Sequence, residues 1–168
     1  MSSGIAPAGL EPGRSAVPLD ETDRAIIAAL LDDGRISIRM LAEQIHISRA
    51  NAYTRIGRME AEGVISGYTA QLNPRRAGLG TSAYVTLTID QNAWRSISQQ
   101  LSEIPYIEHI SLVGGDFDVL VLARTADNDM LRRVVLERIQ EVPGVRSTRT
   151  WLVFDESPGF GPEWNPTA

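Results

Sequence analysis

The spacing of apolar residues changes once along this chain of 168 residues, and that change limits the fold more than any other feature. From 19 to 66 the apolar positions recur at helical intervals, whereas from 81 to 155 short strand-like stretches alternate with helical ones. Asn73-Pro74-Arg75-Arg76, with Gly78 and Gly80 close behind, marks the join. The pattern predicts an α+β protein of two units. A helix-turn-helix covers 19–68, a linker or hinge 69–80 and a second unit 81–156, with disordered tails at 1–18 and 157–168.

In the first unit Asp20 is placed to cap a helix carrying Ile26, Ile27, Leu30 and Leu31, which Gly34 ends. Ser37 caps a second helix with Ile38, Leu41, Ala42 and Ile45 on one face. Ser48 caps a third, with Ala52, Ile56 and Met59 inward and Gly63 at its end. Val64 to Tyr68 reads as a short strand, a possible wing.

The second unit opens on a strand in which Ala83, Val85, Leu87 and Ile89 face one way and Tyr84, Thr86 and Thr88 the other. A helix follows through Trp94, Ile97, Leu101 and Ile104. Two strands, 107–113 and 117–123, flank a tight connection at Gly114-Gly115-Asp116. Leu131, Val134, Val135, Ile139 and Val142 mark a helix capped by Asp127 or Asn128, and 148–154 closes as a strand. The order is βαββαβ, the ferredoxin-like arrangement. A faint internal repeat fits it: Glu103-Ile104-Pro105-Tyr106-Ile107 resembles Glu141-Val142-Pro143-Gly144-Val145.

Composition excludes several functions. The absence of cysteine removes disulfides, thiolate metal sites and thiol catalysis. Two histidines, His46 and His109, leave little for a zinc site or a catalytic triad. His109, between apolar residues in a strand, reads as structural. There is no phosphate-binding glycine loop and no nucleophile–base arrangement, so no enzyme activity, metal or cofactor is expected. No apolar run reaches the roughly 18–20 residues of a membrane span, and the N-terminus lacks the form of a secretory signal; a cytoplasmic protein is expected.

The net charge of −5 is unfavourable for DNA as an average, but DNA responds to local charge. Between Ser37 and Met59 stand Arg39, Arg49, Arg55 and Arg58 against one carboxylate, Glu43. With Ala52, Ile56 and Met59 buried, the third helix turns Arg49, Asn51, Tyr53, Thr54, Arg55 and Arg58 wholly or partly outward. Arginine can read guanine, and asparagine adenine, through paired hydrogen bonds. Arg49, Asn51 and Thr54 are therefore expected at bases, with Ala50 leaving room for a base edge. Arg55 and Arg58 are expected at the phosphate backbone, where Tyr53 can also reach. The plain alternative for Arg58 is an i,i+4 pair with Glu62.

Leu19-Asp20-Glu21-Thr22-Asp23, Asp33-Gly34-Arg35-Ile36-Ser37, Leu41-Ala42, Ile47-Ser48, Arg55-Ile56, Met59-Glu60 and Gly63-Val64-Ile65-Ser66-Gly67-Tyr68 occur together in one order. In this the chain resembles the leucine-responsive/AsnC family of transcriptional regulators, from about 19 to 155. The resemblance implies a bacterial or archaeal regulator that dimerises through its C-terminal domain, often assembles to octamers, and commonly responds to amino acids. Two positions depart from the family pattern: His46 stands where glycine is common in the turn, and Arg49 where proline is common.

The strand 117–123 is apolar on both faces, with Phe117, Val119 and Val121 on one and Leu120 and Leu122 on the other. Its second face needs a partner, most simply the same sheet of another subunit, the alternative being that the helical unit folds back to cover it. Gly114, Gly115, Asp116, Phe117 and Asp118 form either a plain hairpin turn or an effector site in which backbone groups and carboxylates hold an amino acid. The resemblance favours the effector site at the contact between dimers, with Thr148 and Thr150 completing its lining. Trp94 and Trp151 are expected in core or interface. The expected partners are thus double-stranded DNA with a pseudo-palindromic operator, an amino acid effector and further copies of the chain, but no membrane. The alternative is an architectural protein that wraps DNA with little sequence preference.

Overall fold

The computed structural model describes residues 16–157 together with 159, 161, 162 and 164, so much of both expected tails lies outside the described residues. Of the described residues, 16–71 and those beyond Ser157 cluster as one unit, and Leu72–Ser157 as the other.

The helical unit holds α1 (Glu21–Asp32), α2 (Ile38–Gln44) and α3 (Arg49–Ala61). Each begins at a side-chain cap that satisfies an orphan N–H. Asp20 accepts from the Asp23 N–H at 2.8 Å, and Asp23 accepts in return from the Asp20 N–H at 3.2 Å. Ser37 accepts from the Met40 N–H at 3.2 Å, and Ser48 from the Asn51 N–H at 3.1 Å. His46, in the turn between α2 and α3, takes φ +57°, the left-handed conformation that histidine tolerates better than most residues. Ile26, Leu41, Ala52 and Met59 are wholly buried where the three helices meet. Leu31, expected in the apolar stripe, is instead 63% exposed; Ala29 fills the inward position.

Gly63, at φ +73°, turns the chain out of α3 while Val64 N–H donates to the Met59 carbonyl at 2.8 Å. The segment 64–68 forms no strand. An extended segment becomes a strand only by pairing, and among the described residues none pairs with it.

The second unit is a four-stranded antiparallel sheet in the order β2-β3-β1-β4, built from β1 (Thr81–Ile89), β2 (Ile107–Leu112), β3 (Val119–Thr125) and β4 (Val145–Val153). A short 3₁₀ turn, Gln91–Ala93, leads into α4 (Trp94–Ser102), and α5 (Asn128–Val134) follows β3. The βαββαβ order is as expected from the sequence. The alternation of β1 holds as well: Ala83, Val85 and Leu87 are fully buried and Ile89 is nearly so. They join Val119, Val121 and Ala123 of β3 against Ile97, Leu101, Leu131 and Ile139 from the helices. Full burial of each large aliphatic side chain stabilises the unit by about 1.5–3 kcal/mol before conformational entropy is counted.

Three local expectations need correction. The helix after β3 is not uniform, since α5 runs into a π turn over Val135–Ile139. The wider turn lets the consecutive Val134 and Val135 both stay buried with Ile139. The β2–β3 connection is a loop from Val113 to Asp118 rather than a tight hairpin, closed by Val113 N–H on the Asp118 carbonyl at 2.8 Å. His109 is exposed beside an irregularity in the β2–β3 register and is no core histidine.

The internal repeat is structural. Tyr106 and Gly144 occupy equivalent places, at φ +73° and +97°. The Tyr106 carbonyl accepts from Arg124 N–H at 2.9 Å, and the Gly144 carbonyl from Asp90 N–H at 2.8 Å.

Candidate nucleic-acid interface and ligand site

The exposed face of α3 carries Arg49, Ala50, Asn51, Tyr53 and Thr54, all in solvent, with Ala52, Ile56 and Met59 beneath them. Thr54 donates its hydroxyl to the Ala50 carbonyl at 3.0 Å. The Asn51 side-chain oxygen accepts from Arg55 Nε at 2.9 Å, which fixes the amide and leaves its two N–H donors outward.

Arg55 and Arg58 differ from the other members of this face. Arg55 donates to both Asp20 oxygens, at 2.8 and 2.7 Å, and to Asp23 Oδ1 at 2.8 Å. Arg58 donates to Asp23 Oδ2 at 2.5 Å, so its partner is on α1 and not Glu62. The Asp23 side chain is only 1% exposed. Burial pushes its carboxyl pKa up, but hydrogen bonds from Arg55 and Arg58 and from the Asp20 backbone outweigh this and hold it below the usual carboxylate value. Asp20 is also lowered, first by the Asp23 backbone N–H and then by Arg55. The carboxylates that start α1 therefore also fasten it to the middle of α3.

In the second unit the loop 113–118 lies at the end of β1 where Asp118 N–H donates to the Leu87 carbonyl at 2.9 Å. Gly114, Gly115 and Asp116 are exposed, and Phe117 and Asp118 are half-buried. Gly115 takes φ +145°. Asp118 is structurally engaged: Oδ2 accepts from Ile89 N–H at 2.9 Å and Oδ1 from the Gln91 amide at 2.7 Å. The Gln91 bond and then the Ile89 bond lower its pKa. Asp116 is the carboxylate of the loop that faces solvent.

Thr148 pairs with Leu87 and Thr150 with Val85, so both point to the helix side of β4. Thr148 accepts from the Gln140 amide at 2.8 Å. Val119, next to the loop, pairs with Leu87 from the other side. Two strand spacings, about 10 Å, thus separate the loop from Thr148 across β1 within one subunit.

The sheet face away from the helices bears Tyr84 between Leu122 and Trp151. Tyr84 is 40% and Trp151 59% exposed. Arg124, on the same face, escaped the sequence reading; its signal was a lone cation in the apolar run Val119–Thr125. It is nearly buried, donates to Ser82 Oγ at 2.8 Å, and pairs with Glu108 and Glu156.

A helix-turn-helix with an outward, arginine-bearing third helix, joined to a separate α/β unit with a glycine–acidic loop, defines a DNA-binding regulator with its own ligand-binding domain. Residues 19–66 match the winged helix-turn-helix DNA-binding family, and 82–158 match the Lrp/AsnC ligand binding domain. The chain belongs to the Lrp/AsnC family of DNA-binding transcription regulators. It is 34% identical over 148 residues to the leucine-responsive regulatory protein of Klebsiella pneumoniae, covering 86% of this chain and 88% of that one. The crystal structure of the Mycobacterium tuberculosis leucine response regulatory protein is similar at 30% identity and a TM-score of 0.74, covering 84% and 96% of the two chains. A Neisseria meningitidis transcriptional regulator, solved as a complex with L-Met, shares the fold at 24% identity and a TM-score of 0.78, covering 84% and 94%. Among the described residues no helix is long and apolar enough to cross a membrane.

Proposed function

We propose that this protein is a cytoplasmic regulator that reads a pseudo-palindromic operator with α3 and changes its DNA occupancy or assembly when it binds an amino acid or a related metabolite. The carrying observation is the face of α3: Arg49, Ala50, Asn51, Tyr53 and Thr54 all stand in solvent on a helix whose opposite side is locked into a core. Arg49, Asn51 and Thr54 supply base contacts, and Tyr53 reaches phosphate. Arg55 and Arg58 keep further N–H donors for the phosphate backbone, but they are first of all the ties that aim the helix. The kinship with a leucine-responsive protein supports an amino acid as effector. Its site is built on Gly114, Gly115, Asp116 and Phe117, with Asp118 shaping the loop from behind and Thr148 and Thr150 contributed from another subunit.

The working unit is a homodimer joined through the helix-free sheet face. Exposed Tyr84 and Trp151, with Leu122 on the other side of Tyr84 and Leu120 further along β3, form an apolar surface that a second sheet would cover. Dimers assemble further, to octamers, through contacts that include the 113–118 loop.

Fluorescence anisotropy with the DNA upstream of the protein's own gene tests the reading. Binding should prefer that DNA over random duplex and weaken steeply with salt. Equal affinity for both duplexes would overturn it.

A further inference from the structure

The two halves of the α/β unit treat their repeated turn differently. At the Gly144 turn the facing helix closes in, and a Cβ there would lie 2.9 Å from Ile97 Cδ1 and 3.4 Å from Ala93 Cβ. At the Tyr106 turn the facing helix is α5, and the space beside it is a cavity of about 170 Å³. Ile104, Pro105 and Tyr106 from the turn and Met130 from α5 make its apolar wall. Arg133, Glu137 and Arg138 supply its charge. All of these residues belong to the α/β unit.

The π turn brings the two arginines together. In a regular α-helix, residues five apart point about 140° away from each other. Over Val135–Ile139 the hydrogen bond spans five residues instead of four, with Gln140 N–H on the Val135 carbonyl at 3.1 Å. Arg138 thereby comes round to the wall that holds Arg133. Neither arginine makes an ion pair among the described residues. Arg133 donates to Met130 Sδ at 3.9 Å, a weak acceptor, so its guanidinium lies beside the apolar wall with better acceptors still to be met. Tyr106 lines the cavity from a left-handed backbone at φ +73°, strained for an aromatic residue where the other half uses glycine. Strain of this kind clusters at ligand sites.

We propose that this cavity is a second small-molecule site, for a monocarboxylate with a compact apolar or aromatic body. The two guanidiniums hold the carboxylate through charge-assisted N–H bonds. Ile104, Tyr106 and Met130 cover the body, and the volume is close to the roughly 150 Å³ that takes a benzene ring. Glu137 leaves the wall with a single net positive charge, which suits one carboxylate better than a phosphate dianion. The site is separate from the 113–118 loop. Val119, next to that loop, and Arg124, whose N–H donates to the Tyr106 carbonyl, stand five residues apart on β3, roughly 17 Å.

Methyl NMR on the full-length protein with ¹³C-labelled methionine methyls tests this, because the chain has four methionines and Met130 lines the cavity. Met40 and Met59, in the helical unit, serve as internal controls. Phenylacetate should shift the Met130 signal saturably below about 10 mM and leave Met40 and Met59 in place. Arg133→Gln and Arg138→Gln should each raise the half-saturation concentration roughly tenfold, the loss of one charge-assisted contact. Arg132→Gln, exposed and off the wall, should not change it. No saturable Met130 shift, an equal response to benzyl alcohol or inorganic phosphate, or equal weakening by all three arginine variants would overturn the site. The readout involves neither DNA nor the 113–118 loop, so its failure is distinct from failure of the regulatory reading.

Discussion

Arg55 of α3 and Asp23 of α1 meet at 2.8 Å, with the arginine side chain 24% and the aspartate 1% exposed. The contact divides a surface that looks uniformly basic in sequence. Arg49 is exposed on the α3 face with no hydrogen bond or ion pair among the described residues, while Arg55 and Arg58 donate to carboxylates inside the unit. The neutralising carboxylates belong to the helix start that also caps α1, so the cap and the orientation of α3 depend on the same two side chains.

Asp23→Ala is expected to destabilise the helical unit by about 2–3 kcal/mol. Breaking a fully buried pair costs roughly 3–5 kcal/mol, and the partial exposure of both arginines reduces this. Thermal melts check the value. The pH dependence has a definite sign. The folded pKa of Asp23 is depressed, so its contribution is complete above the unfolded value near 3.9 and is lost as pH falls through the lower folded value. Wild type should therefore lose stability below about pH 4 more steeply than Asp23→Ala.

Arg49→Ala should separate binding from folding. Its side chain is exposed, and its loss should leave the melting temperature unchanged. Loss of a paired contact to a base costs about 1–3 kcal/mol, so affinity for the operator should fall roughly five- to hundredfold while affinity for random duplex falls far less. Arg55→Ala, in contrast, should lower the melting temperature as well as the affinity. Anisotropy titrations beside melts on the same samples distinguish the two patterns.

Much of this was legible in the sequence because it rests on local rules. The caps Asp20, Ser37 and Ser48, the alternation of β1 and the left-handed turn at His46 each follow from residues within a few positions of one another. What escaped depends on distant partners. Arg55 and Arg58 read as phosphate contacts because nothing local shows that Asp23, more than thirty residues earlier, is buried between them. Asp118 read as a ligand group, and nothing local shows that its carboxylate also accepts from the Ile89 N–H and the Gln91 amide at the end of β1. The segment 64–68 has strand composition, but composition supplies no neighbour to pair with.

The repeated turn gives a sharper test of packing. A Cβ at Gly144 would lie 2.9 Å from Ile97 Cδ1 and 3.4 Å from Ala93 Cβ, and φ there is +97°. Ile97 is fully buried and has little room to yield. Gly144→Ala combines a left-handed penalty of about 1–2 kcal/mol with overpacking of about 1–3 kcal/mol, so a net loss of roughly 2–5 kcal/mol is expected. Tyr106→Gly, at the equivalent turn, removes the strain that Tyr106 bears and should not destabilise the unit. Denaturant unfolding of the two variants should move in opposite directions, or in one direction for Gly144→Ala alone.

The loop 113–118 yields the last prediction, because its two carboxylates do different work. Asp118 closes the end of β1 by accepting a backbone and a side-chain N–H, so Asp118→Ala should lower the melting temperature of the protein with no ligand present. Asp116 is exposed at the loop tip, and Asp116→Ala should leave that melting temperature unchanged. In a thermal-shift screen of the twenty amino acids, a ligand selective for the native state raises the transition by mass action. Wild type should show such a rise with at least one of them, and Asp116→Ala should lose it. If Asp116→Ala kept the full shift, the solvent-facing carboxylate would have no part in holding the effector.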